Sequence, residues 1–256
     1  MRIFLTFLFT FLFSVSAFAK TPPEILAHYK AYRTALGEKD YDKAQSEAKL
    51  AWDKAEELVG DHKTTGDLAQ NFADVGNVND GKFSDVDKAY IRSIDLIKTD
   101  NPEMALQRES RLAAYYLKKG RKSKLRKRFK NAVAFAESHG LVKSTFLGEL
   151  YTMRSQVEIA GSNHEETEEY AVKALEIFES REDNYETYHP YMARLYSGYG
   201  KEGQKNFVPA VMEYQEVMQN LEGDLPKNHP FMMRALGRWM LMRRLFSGMR
   251  RVWRAT

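Results

Sequence analysis

The stretch Leu112-Ala113-Ala114-Tyr115-Tyr116-Leu117-Lys118-Lys119-Gly120-Arg121-Lys122-Ser123-Lys124-Leu125-Arg126-Lys127-Arg128-Phe129-Lys130-Asn131-Ala132 reads as a helix, a stop and a second helix. Leu112, Ala113 and Tyr116 share one face at a period of 3.6 residues, and Gly120 marks the stop. Beyond it, Lys122, Leu125, Phe129 and Ala132 sit at offsets 0, 3, 7 and 10. The same spacing returns as Tyr41, Ala44, Ala48, Ala51; as Phe83, Val86, Tyr90, Ser93; as His164, Thr167, Ala171, Ala174; and as Phe207, Ala210, Tyr214, Val217. Successive copies lie 42, 39, 42 and 43 residues apart. Such a period means stacked helical hairpins, each unable to bury its apolar face alone. Small residues at the last offset (Ala51, Ser93, Ala132, Ala174) let helices approach closely, and the larger residue at the first offset fills the turn.

The first helix of each hairpin is marked more loosely. Asn101-Pro102, His189-Pro190 and His229-Pro230 place a proline where a helix begins, at which point its missing N–H had no partner anyway. Gly76–Lys82 reads as an enlarged turn within the second hairpin. The expected class is all-α: a solenoid of about five tetratricopeptide-like hairpins plus a partial sixth over 20–242, with a basic tail over 243–256.

The pattern resembles the tetratricopeptide repeat in its longer, kinesin-light-chain-like form. The third hairpin carries it best, through Leu112, Ala113, Tyr116, Gly120, Phe129 and Ala132. Asp40-Tyr41-Asp42-Lys43-Ala44 matches the family's turn, and Asn71-Phe72-Ala73 its asparagine-bearing first helix. Lys122 departs from the turn aromatic, and Val142–Ala160 fits the register poorly. The resemblance implies a protein or peptide partner held in a concave groove. Leu221 to Pro230, with Arg234-Ala235-Leu236-Gly237-Arg238-Trp239-Met240, also resembles the junction of exported bacterial repeat proteins that continue into a TonB-type C-terminal domain. That similarity implies a link to energy-coupled transport in the cell envelope. The domain itself is absent from the 16 residues after Met240.

Met1-Arg2, the uncharged run Ile3–Phe13 and the Ala17-Phe18-Ala19 ending form a secretory signal pattern over 1–19, cleaved before Lys20. Ile3–Phe13 is too short to span about 30 Å of hydrocarbon. The expected location is therefore periplasmic or secreted. Cysteine is absent, which closes the disulfide, lipid-anchor and thiolate-metal routes.

Charge is unevenly placed. The formal net charge is +4, yet Lys118–Lys130 holds nine basic residues and no acid, and Arg243–Arg254 holds five arginines and no acid. Without these and Arg2 the remainder carries −11. Two readings of the first block stand. Glu166, Glu168 and Glu169 lie one repeat after Lys124, Arg126 and Lys127 and would neutralise them if equivalent helices lie side by side. Otherwise the block docks an anionic partner, such as an acidic protein segment or anionic lipid. The tail reads as a membrane-touching amphipathic segment, an irregular cap, or a truncated or frame-shifted end.

No catalytic constellation is legible. The six histidines lie at 28, 62, 139, 164, 189 and 229, with no His-Glu-x-x-His and no Gly-rich phosphate loop. The expectation is a non-enzymatic adaptor without cofactor or metal, and with nucleic acid disfavoured as a partner. The alternative is a peripheral membrane-surface protein working through its basic blocks. Partner-binding candidates are Arg111, Tyr115, Lys124, Arg126 and Lys127.

Overall fold

A computed structural model describes residues 21–180, 188–221 and 230–253. The signal segment 1–19 and the last three residues of the basic tail lie outside them. The described residues form eleven α-helices and no strand, grouped in two compact units that divide between Leu96 and Ile97.

The first unit holds α1 (Pro23–Gly37), α2 (Tyr41–Leu58), α3 (Lys63–Val78) and α4 (Phe83–Asp95), each packed on the next. The second holds α5 (Pro102–Lys118), α6 (Lys122–Ser138), α7 (Thr145–Ile159), α8 (His164–Glu179), α9 (His189–Gly203), α10 (Phe207–Leu221) and α11 (Pro230–Trp253). Here the first helices of successive hairpins also touch, α5 on α7 and α7 on α9. This is the stacking that a hairpin repeat needs to bury its apolar faces.

The periodic residues open the second helix of every hairpin. Tyr41, Phe83, Lys122, His164 and Phe207 are the first residues of α2, α4, α6, α8 and α10. The residues at offsets 3, 7 and 10 are buried in all five copies, from Ala44, Ala48 and Ala51 to Ala210, Tyr214 and Val217. The first-offset residue is half-buried in four copies; Lys122, the departure from the pattern, is exposed.

Each hairpin turns by the same device. One residue just before the second helix takes a left-handed conformation: Lys39, Asp80, Gly120, Ser162 and Lys205, with φ of 61°, 52°, 66°, 59° and 66°. The amides of Asp40, Gly81, Arg121, Asn163 and Asn206 then reach back five residues to the carbonyls of Ala35, Gly76, Tyr116, Glu158 and Lys201, at 2.7–3.1 Å. These bonds satisfy carbonyls left over at the end of the first helix, as in a Schellman cap. Asp40 adds an N-cap, its side chain accepting from the Lys43 amide at 3.1 Å.

One expectation about boundaries changes. Gly76, Asn77 and Val78 belong to α3, not to the turn, and Gly76 is where α4 comes close: a Cβ built there would lie 2.7 Å from Val86 Cγ2. Pro102, Pro190 and Pro230 all lie in the first turn of their helices as expected, Pro190 as the second residue of α9. The poorly registered first helix of the fourth hairpin is α7, entered from Ser144, whose hydroxyl donates to Glu103 at 2.7 Å.

The tightest approaches gather on α9. A Cβ at Gly200 would meet the backbone N and Cα of Glu168 on α8 at 2.7 and 2.9 Å. Gly203 faces the ring of His164 on α8, and Gly198 faces the ring of Tyr214 on α10. Beyond α10, Ala235 and Met242 of α11 join a core with Leu195, Tyr214 and Val217, and Trp239 packs beside them.

Candidate partner-binding surface

Of the five residues singled out by sequence, the structure turns one inward. Tyr115 is fully buried, as is its neighbour Tyr116. Helix α5 packs on both α6 and α7, and it buries residues on several sides, including Arg108, Glu109 and Ser110. Tyr115 therefore packs inside the fold and does not face a groove. Arg111, on the same helix, is half-buried.

Helix α6 carries the other three. Arg126 forms a two-pronged pair with Glu158 on α7, Nε to Oε1 at 2.9 Å and Nη2 to Oε2 at 3.1 Å. Glu158 is wholly buried and also accepts from Arg154 and from the Asn163 side chain. A carboxylate can be buried at such a cost only because charged donors surround it. The Arg154 guanidinium lies 5.0 Å from the Tyr170 ring centroid and 5.9 Å from that of Phe129. Phe129 in turn meets Tyr151 and Tyr170 edge-on at 5.2 and 5.4 Å. Arg126 is thus a structural clasp between α6 and α7. Arg128 plays the same part toward α5, pairing through Nε with Glu109 at 3.1 Å.

The expected pairing of α6 with the acids of α8 does not form. Glu169 pairs with Lys173 on its own helix at 2.6 Å, and Glu168 accepts from Gln204 at 2.7 Å. The reason is geometric. Residues one repeat apart occupy equivalent helices, but the first helices of successive hairpins make the direct contact, and α6 turns its arginines to α5 and α7. Lys124 sets its ammonium 5.8 Å from the Tyr116 ring centroid. Among the described residues, Lys122, Lys127 and Lys130 form no ion pair. All three are exposed, within about 140° of one helix face. The block therefore divides into two arginines that bind the fold together and a lysine face directed to solvent.

A second charged region lies between α2 and α4 in the first unit, lined by Lys49, Trp52, Glu56, Asp85, Lys88 and Arg92. Its charges are largely satisfied from within. Arg92 grips Glu56 with two bonds of 2.8 Å and also reaches Asp61. The Arg92 guanidinium beside Glu56 holds that carboxyl below the usual range. Trp52 donates to Glu56 at 3.0 Å and stacks on Phe72 at 5.6 Å. Nothing in the repeat spacing pointed to this network, since Glu56 and Arg92 are 36 residues apart.

On the first-helix side of the second unit, Ser110 donates to Glu149, and His189 Nε2 stands 3.7 Å from the same carboxylate. Burial pushes the His189 ring below its ordinary pKa, and Glu149 opposes that shift. Among the described residues, no three His, Asp or Glu side chains converge as a metal site, and no helix is long and apolar enough to cross a membrane.

No protein-family model and no curated protein matches the chain. Among solved structures, the chain is similar to the crystal structure of BtubC (BKLC) from P. vanneervenii. The TM-score is 0.56 at 14% identity, covering 91% of this chain and 90% of that one. With the repeated turn and the buried periodic positions, this establishes a tetratricopeptide-like helical-repeat fold.

Proposed function

We propose that the protein is a non-enzymatic adaptor of the bacterial cell envelope that binds an acidic stretch of another protein on the outer face of α6. The observation that carries this reading is the lysine face itself. Lys122, Lys127 and Lys130 are exposed and free of ion pairs among the described residues, while Arg126 and Arg128 beside them are committed to the fold. A helical-repeat fold supports a binding role, as such folds present long surfaces. Export rests on the Met1–Ala19 pattern, and the link to TonB-type transport rests on the similarity around Arg234–Met240. The alternative, an anionic membrane surface, is less favoured at α6. The face carries lysines with Ser123, Ala134 and one acid, Glu137, and no large exposed apolar residue to anchor in lipid.

The test is titration of the mature protein with a polyglutamate peptide and with phosphatidylglycerol vesicles, at several salt concentrations. Lys122→Ser, Lys127→Ser and Lys130→Ser together are expected to weaken the peptide at least tenfold and to flatten its salt dependence. Unchanged peptide affinity in that variant would remove the reading. Preferential binding to vesicles would establish the membrane alternative. N-terminal mass measurement of protein from the producing cell is expected to begin at Lys20; a retained Met1–Ala19 would argue against the envelope role.

A further inference from the structure

The second unit carries a glutamate stripe beside the lysine face of α6. Helix α8, the equivalent of α6 one repeat on, exposes Glu165, Glu166, Glu169 and Glu176 within about 100° of one helix face. Among the described residues, Glu165, Glu166 and Glu176 form no ion pair, and Glu169 holds Lys173 on its own helix. The two helices are bridged by the Phe129 and Tyr170 rings, whose centroids are 5.4 Å apart. Their register is the same. Lys127 and Glu169 hold equivalent positions 42 residues apart, and both are exposed. Opposite charges thus lie on neighbouring, equivalent helices, and the chain does not pair the α6 lysines with the α8 acids.

We infer that a second copy of this chain docks on this surface, α6 of each copy on α8 of the other. The inference rests on the same α6 lysines as the proposed function and adds a competitor for them: self-association and capture of a foreign acidic stretch exclude each other. Symmetry and charge select the occupant. A two-fold interface needs a self-complementary patch, and a lysine stripe beside a glutamate stripe is one. As equivalent helices of successive hairpins, α6 and α8 run in the same direction. A two-fold axis along and between them therefore brings α6 onto the partner's α8 with the N-termini level. Lys127 of one copy then stands opposite Glu169 of the other. Lys122 comes level with the residue before Glu165 and Glu166, at a rise of about 1.5 Å per residue. A partner of one sign satisfies one stripe and is repelled by the other, whereas a second copy satisfies both. Neither stripe exposes a large apolar residue, so the association is electrostatic, weak and salt-sensitive.

Sedimentation velocity of the full mature chain reads the self-association. A dimer is expected at about 20 mM salt, with a dissociation constant at least tenfold higher at about 300 mM. Two charge reversals test the pairing. Lys122→Glu, Lys127→Glu and Lys130→Glu together, and Glu165→Lys, Glu166→Lys and Glu169→Lys together, are each expected to give a monomer, because like charges then face each other. An equimolar mixture of the two variants is expected to dimerise, because both contacts then join opposite charges again. Misfolding cannot produce that rescue. The gentler set Glu165→Gln, Glu166→Gln and Glu169→Gln keeps side-chain shape and is expected to weaken the dimer at least tenfold. A monomeric unaltered chain at low salt overturns the proposal. So does a glutamine variant that dimerises as tightly as the unaltered chain, or a mixture that stays monomeric while circular dichroism shows both variants folded. Polyglutamate titration of the glutamine variant separates this proposal from the α6 reading. Its lysines are intact, so it is expected to bind the peptide as the unaltered chain does. Peptide binding without any dimer leaves the α6 reading standing alone, and rescue by mixing without peptide binding leaves the dimer standing alone.

Discussion

Replacing Gly200 with alanine adds one carbon where α8 and α9 meet. That carbon would sit 2.7 Å from the Glu168 amide nitrogen and Cβ and 2.9 Å from its Cα. Ordinary contact needs about 3.5–4.0 Å, so the helices must part by the better part of an ångström. The obstacle is backbone in a packed helix, which cannot swing aside as a side-chain tip would. Overpacking of this kind costs about 1–3 kcal/mol, and the backbone contact puts it at the upper end. Alanine returns about 1 kcal/mol of helix propensity. The net expectation is a loss of about 2 kcal/mol, or about 4–8 °C in the midpoint for a unit of this size. Gly237→Ala is the control. It makes the same change of residue with nothing within 4 Å, so the propensity gain of about 1 kcal/mol stands alone. Thermal unfolding followed by circular dichroism at 222 nm reads both. If Gly200→Ala is neutral or stabilising, α8 and α9 do not approach as described.

Four further outcomes are expected. Ala132→Phe forces an aromatic ring into a position only 2% exposed and should cost about 1–3 kcal/mol or more in urea unfolding; an unchanged midpoint would mean the repeat register is wrong. Glu158→Ala leaves Arg154 buried without its partner and should cost about 3–5 kcal/mol, read by the same denaturation. Lys205→Gly relieves a left-handed backbone at φ 66° and should stabilise by about 1 kcal/mol, visible as a raised midpoint. His189 is held neutral by burial, its folded pKa below the ordinary value of 6.5. The unfolded chain then binds more protons in that window, so stability is full above about pH 6.5 and is lost as pH falls toward the folded value. His189→Gln should flatten the midpoint-versus-pH curve between pH 7 and 5, and an unaltered slope would count against the buried neutral ring.

The second helices were legible because their signal is purely a matter of volume and period. Ala44, Leu125, Thr167 and Ala210 are each buried three residues into such a helix, and a buried stripe admits few residue types. The turns were only partly legible. Gly120 announced one left-handed residue, but Lys39, Asp80, Ser162 and Lys205 adopt the same conformation with ordinary side chains, where backbone bonds to the preceding helix enforce it. The site was hardest to read. Arg126 and Glu158 are 32 residues apart, a distance the repeat does not generate, because they join adjacent helices of unlike rank. Tyr115 misled for a related reason. A helix packed on several neighbours buries consecutive residues, and periodicity then no longer separates inside from outside.

The three glycines of α9 also bear on how the second unit comes together in time. Each weakens an isolated helix by about 1 kcal/mol relative to alanine, so α9 has little tendency to exist before its neighbours do. It is ordered by α8 on one side and α10 on the other, through contacts that only glycine permits. The segment is held from both flanks at once, so disturbing either is expected to loosen it. Its amides should exchange hydrogen with water through the joint opening of α8–α10 and not by fraying alone. The same dependence makes this hairpin poor material for transplanting into another repeat array, since its glycines match Glu168, His164 and Tyr214 and no general partner.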